Sequence, residues 1–170
     1  FAFSSLEPDR LLGLVLVDPP PDPAVLPPGM IEGVLEKLHI PAYDETLESY
    51  YPSIPGDDPK VVTRVITDAR ATPKATTIGT FEAMSRFKPT DFTGYEGPAL
   101  SIIQPQYDVD GALHRIARIE HVAIEGAGHW IHLGAPDRFL EALEDFIADI
   151  ELSGPDPEGV RAKAERRTVL

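Results

Sequence analysis

An α/β fold is predicted for this 170-residue chain by three observations. Three short apolar segments carry strand patterning, helical periodicity runs between and after them, and a glycine-flanked histidine directly follows the third strand. The first strand is expected over Leu11 to Val17, apolar on both alternating faces as in a parallel sheet covered above and below. The second is expected over Ala99 to Ile103, entered through the turn signal Gly97-Pro98. The third, Ile119 to Ile124, alternates and belongs nearer a sheet edge. Gly111 to Arg118 can supply the short crossover helix that a parallel pair requires.

Pro136 to Ile150 reads as an amphipathic helix. Phe139, Leu140, Leu143, Phe146, Ile147 and Ile150 fall on one face, with Pro136 suited to the first turn. Residues 153–170 read as a charged tail, mobile or docked on another chain. The long stretch 19–96 differs in composition. It leaves the first strand through Pro19-Pro20-Pro21-Asp22-Pro23, a stiff extended segment. It then offers helices over Met30–Leu38, Thr46–Tyr51, Val61–Arg70 and Thr76–Phe87, separated by prolines. The expected organisation is a core made of 1–18 and 97–152, interrupted by a helical insertion at 19–96 that reads as a lid. Three strands do not finish a sheet. A segment as apolar as Leu11 to Val17 needs neighbours on both sides, or it leaves an edge open to association.

Composition narrows the function. A formal net charge of −13 repels phosphate backbones and anionic lipid headgroups, so neither nucleic acid nor a membrane surface is an expected partner. No apolar run is long enough to span a bilayer. With no cysteine in the chain, disulfides, thiolate catalysis and cysteine-ligated zinc are excluded, and a reducing compartment such as the cytoplasm fits. The opening Phe1-Ala2-Phe3-Ser4-Ser5 has no initiator methionine and no leader pattern, as expected of a trimmed chain or a cleavage product.

The strongest chemical signal is Gly126-Ala127-Gly128-His129-Trp130-Ile131-His132. Glycines on both sides of Ala127 let the backbone turn sharply at the C-terminal edge of a sheet, where open α/β folds place their sites. An imidazole there suits general acid–base chemistry. Leu14-Val15-Leu16-Val17-Asp18-Pro19, a helical insertion, Gly97-Pro98-Ala99-Leu100-Ser101-Ile102-Ile103, the histidine loop and a final amphipathic helix together resemble, in order, the C-terminal half of an α/β-hydrolase. The resemblance runs in outline from Leu6 to Ile150 and implies that His129 is a triad base and that the insertion caps a pocket.

By the same resemblance the nucleophile belongs to a Gly-x-Ser-x-Gly elbow, or its aspartate variant, ahead of the first strand. No such pentapeptide occurs here, and Ser4 and Ser5 have no flanking glycine. Residues 2–10 would be the end of the helix after the elbow. Nucleophile and both oxyanion-hole amides are therefore expected on an N-terminal half, cleaved from the same precursor or encoded separately. For the acid, Asp108 ranks first, Asp18 second and Asp110 third. Asp108 follows the second strand but arrives one residue late for the family's Gly-x-x-Asp, in which Gln104 replaces the glycine. Asp18 occupies the position used by other branches, and many members carry a non-catalytic Val-Asp-Pro there.

His132, His114 and His121 are assigned no chemical role, and no metal or cofactor is expected, because His129 and His132 lack an evident third ligand. Tyr43, Tyr50, Tyr51, Phe81, Met84 and Phe87 are candidates for the pocket lining or for the core of the cap. The expected function is half of a hydrolase for a small, largely apolar ester, amide or lactone. The rival is a non-catalytic binding or scaffold protein on the same fold.

Overall fold

The computed structural model describes residues 4, 7, 10–23, 26–39, 41, 43–54, 58–88 and 95–153. Apart from Ser153, the expected tail lies outside them, as does most of the expected N-terminal helix end. The protein is a mixed α/β structure around a small parallel sheet. Strand β1 is Leu14–Val17, β2 is Ala99–Ile103 and β3 is Glu120–Ala123. They lie side by side in chain order, all parallel, with Leu14 opposite Ala99 and Leu100 opposite Glu120.

The sheet's burial differs from the sequence expectation. The strand expected over Leu11 to Val17 begins only at Leu14, and Leu12 is 83% exposed. The cause is the partner: Leu14 N–H donates to the Pro98 carbonyl, but one residue earlier the neighbouring strand offers only a proline, which has no N–H to donate. Instead of a strand pair, Gly13 meets the side chains of Phe146 and Ile150 so closely that a Cβ would collide with them. Nor is β1 the fully buried strand. Among the described residues it pairs only with β2, and its side chains are half-buried, with Val17 exposed. The buried strand is β2, where Leu100, Ser101, Ile102 and Ile103 are sealed between its two neighbours. Among the described residues the alternating β3 is an edge strand, as expected, and its side chains are exposed.

Among the described residues four α-helices run between β1 and β2: α1 (Met30–His39), α2 (Tyr43–Tyr50), α3 (Pro59–Ala71) and α4 (Lys74–Ser85). All four positions follow the helical periodicity. Asp58 caps α3 by accepting from Lys60 N–H, and Pro59 takes the first turn. These helices close over their own apolar centre, made of Leu38, Leu47, Ala69 and Phe81 with Tyr43, Tyr50 and Tyr51 packed around it. A second centre lies against the sheet: Leu100, Ile102, Ile124, Ala127, Ile131 and Ala135.

The crossover from β2 to β3 contains only one helical turn, α5 (Leu113–Ile116). After β3 come the short α6 (Ile131–Gly134) and the long α7 (Pro136–Ser153). The face of α7 is split. Phe139, Ala142 and Phe146 pack on the sheet, while Leu140 and Ile147, expected on the same buried face, are nearly half exposed. A three-strand sheet is too narrow to cover the whole apolar stripe of so long a helix.

Candidate functional site

Two strand exits meet at the C-terminal edge of the sheet. Asp18 directly follows β1, and its backbone N–H still donates to the Ile102 carbonyl of β2. The chain then turns through a left-handed conformation at Asp18 itself, with φ 41°. Aspartate tolerates this region better than most residues, and the turn leaves its side chain buried at the sheet edge.

His129 arrives from the other side. The chain leaves β3 with Ile124 still bonded to Ile103, then crosses Gly126 (φ 67°) and Gly128 (φ 72°). Both glycines hold the positive φ that their placement in the sequence predicts. The loop is pinned from below. Arg138 of α7 donates to the Glu125 carbonyl at 2.6 Å, and Gly134 of α6 lies so close to the Ala127 carbonyl that no Cβ fits between them.

The result is a hydrogen bond of 2.7 Å between His129 Nδ1 and Asp18 Oδ2. The carboxylate is buried (1% exposed) and the imidazole about one-third exposed. A buried carboxylate only accepts, so Nδ1 carries the proton and Nε2 presents its lone pair. Among the described residues Nε2 has no hydrogen-bond partner.

Gln104, the first residue after β2, completes the acid's environment. Its backbone N–H donates to Asp18 Oδ1 at 3.2 Å and its side-chain amide to Oδ2 at 3.0 Å. Gln106 Nε2 in turn donates to Gln104 Oε1, which fixes the amide's orientation. Asp18 therefore accepts three hydrogen bonds, and its buried charge is neither unpaired nor free to rotate.

Of the sequence-ranked acids, the first is thus not the one that meets the imidazole. Asp108 turns instead to the crossover, where His114 Nε2 lies 2.9 Å from its Oδ1, Arg115 Nε donates to the same oxygen at 2.7 Å, and His121 Nε2 lies 3.6 Å from Oδ2. The Arg115 hydrogen bond, then the one from His114, holds the Asp108 carboxyl down at about 2. Burial pushes the His114 imidazole below its ordinary value, against the opposing pull of Asp108. Asp110 is exposed, and its charge is felt by Arg115. His132 stacks edge-on against Phe139 of α7. Sequence reasoning missed Gln104 as part of the site, and missed that His114 and His121 converge on Asp108. Gln104, standing where the Gly-x-x-Asp pattern of the expected resemblance has glycine, was the available signal for the first.

The four-helix segment reaches the histidine loop through aromatics. Trp130 packs edge-on against the His129 ring with centroids 5.0 Å apart, and Tyr51 packs edge-on against Trp130 at 5.7 Å. Of the six aromatic and methionine candidates for lining, Tyr43, Tyr50, Tyr51 and Phe81 belong to the centre of the helical segment. Met84 and Phe87 instead line an almost wholly apolar cavity of about 340 Å³, with Leu16, Pro19–Pro21 and Leu113 on its other walls. It flanks the strand that delivers Asp18, though neither Asp18 nor His129 lines it.

Compared with known proteins, the chain matches no family model, no curated protein and no solved structure. Among the described residues no helix is long and apolar enough to cross a membrane.

Proposed function

We propose that the chain is the base-and-acid half of an α/β-fold hydrolase acting on a small, largely apolar ester, amide or lactone. The observation that carries this reading is the His129–Asp18 pair, with the imidazole's second nitrogen unengaged at the sheet edge. His129 Nε2 takes the proton of an attacking hydroxyl and returns it to the leaving group. Asp18 holds the tautomer and stabilises the imidazolium that forms. The nucleophile and its oxyanion-binding amides come from an N-terminal half of the same fold, on the same precursor or a partner chain. The edge of β1 that has no partner among the described residues is where such a half would continue the sheet. The apolar cavity against Leu16 and Pro19–Pro21, on the strand exit that carries Asp18, is consistent with an apolar substrate group, since its walls offer few polar groups.

The reading is tested with an alkyl fluorophosphonate on the natural gene product that contains this chain. The expected result is covalent labelling of a single serine on the completing half, abolished in His129→Ala. Absence of both labelling and activated-ester turnover in the assembled protein would overturn it.

A further inference from the structure

We propose that Asp108, His114 and His121 form a binding site for a divalent cation of the zinc class, built on the crossover between β2 and β3. The inference is independent of the hydrolase reading, because none of the three residues contacts the His129–Asp18 pair.

The donors come from three different pieces of backbone. Asp108 follows the single 3₁₀ turn after β2, His114 sits on α5, and His121 is the second residue of β3. Each offers one ligand atom, and all three atoms lie within 4.8 Å of one another. Zinc takes imidazole nitrogens and carboxylate oxygens at about 2.0–2.2 Å, so neighbouring ligand atoms of a tetrahedral set lie about 3.3 Å apart. The observed spacing of 3.6 Å between His121 Nε2 and Asp108 Oδ2 is close to that value, and His114 Nε2 lies 2.9 Å from the other oxygen of the same carboxylate. The two imidazoles lie beside each other with centroids 4.5 Å apart, so both rings reach the same side of the carboxylate.

The surroundings suit a ligand set as well. His114 is buried, which favours the neutral ring that a metal requires, and Asp108 stays ionised. Arg115 donates to Asp108 Oδ1, so it orients the carboxylate and leaves Oδ2 free for coordination, as outer-shell partners commonly do. The guanidinium is partly exposed, so solvent screens part of the charge it brings beside the site. Two imidazoles and one carboxylate select a borderline cation such as Zn²⁺ over Mg²⁺ or Ca²⁺, which demand more oxygen ligands. Three protein ligands leave a fourth position, which opens to solvent beside the exposed His121. Bound there, the ion would tie α5 to β3 and to the loop that follows β2.

The test is calorimetric titration of the chelator-treated natural gene product with Zn²⁺, repeated with Co²⁺ and read by visible absorption. One equivalent of Zn²⁺ should bind, and Co²⁺ should give the intense bands of a tetrahedral site. Because His114 is buried and its replacement threatens folding, the informative variants are His121→Ala and Asp108→Asn at the half-open rim. Each should weaken binding by at least about 10-fold, the order lost even when an outer-shell partner is removed. His132→Ala should bind as the parent does. A parent that binds no more tightly than His121→Ala, or an equal loss in His132→Ala, overturns the proposal.

Discussion

Replacing Asp18 by asparagine isolates the charge of the proposed acid from its shape. The backbone should not object, since asparagine enters the left-handed region at φ 41° at least as readily as aspartate. The hydrogen bonds decide the outcome. The Gln104 backbone N–H cannot turn away, so the new amide must keep its oxygen at the Oδ1 position and place its NH₂ where Oδ2 was. There it faces His129 Nδ1 and the Gln104 side chain. The imidazole answers by giving up its Nδ1 proton and carrying it on Nε2, which is the tautomer that cannot accept a proton from a nucleophile. The Gln104 amide flips, and Gln106 on the open side follows. Fold and stability are kept while the base is lost and the imidazolium loses its counter-charge. In a triad of known type this change lowers turnover by about 10⁴, equivalent to about 5 kcal/mol of transition-state stabilisation. The assay is hydrolysis of a p-nitrophenyl ester by the natural gene product, with far-UV circular dichroism and thermal unfolding as controls. Asp108→Asn should be nearly silent in the same assay. An Asp18→Asn protein within a few-fold of the parent, or a larger loss in Asp108→Asn, would refute the pairing as the catalytic one.

His129→Ala should lower ester turnover by about 10⁴ or more with substrate binding largely kept, while His132→Ala stays close to the parent. Gly134→Ala puts a methyl group into the Ala127 carbonyl and should cost about 1–3 kcal/mol in chemical denaturation, with activity falling because the histidine loop must move. The depressed His114 value has a definite sign. The unfolded chain takes up a proton near the ordinary 6.5 and the folded chain only lower, so stability is whole above that value and lost as pH falls below it. With a chelator present, the unfolding temperature should therefore drop between pH 7.5 and 5.5, and drop less in His114→Gln.

Much of this architecture was legible because it is written in local patterns. Ala99–Ile103 is bounded by Gly97-Pro98 and filled with apolar residues, and the strand matches those limits. The helices between β1 and β2 start and stop within a few residues of their proline and cap signals. The paired glycines around Ala127 predicted their own conformation. What local patterns could not convey was pairing. Leu11 to Gly13 looks as apolar as Leu14 to Val17, and only the absence of a donor at Pro98 ends the strand. The preference for Asp108 over Asp18 rested on its position after the second strand, whereas the decisive fact is the left-handed turn at a non-glycine residue, which no propensity announces. His114 and His121 looked idle because neither has a ligand-spaced partner on its own element. They meet only through the crossover.

The sheet's register also has a kinetic consequence. Strands β2 and β3 are joined through one short crossover of about 20 residues, whereas β1 reaches β2 only after the whole four-helix segment, about 85 residues along the chain. Loop-closure entropy makes the second pairing costlier by about 1 kcal/mol before any contact is gained, and contacts so distant in sequence form late. The β2–β3 pair and the histidine loop are therefore expected to organise before β1 docks and brings Asp18 with it. Until that moment His129 is an ordinary loop imidazole with no fixed tautomer. By this reasoning His129 and Asp18, 111 positions apart, pair late rather than early in folding.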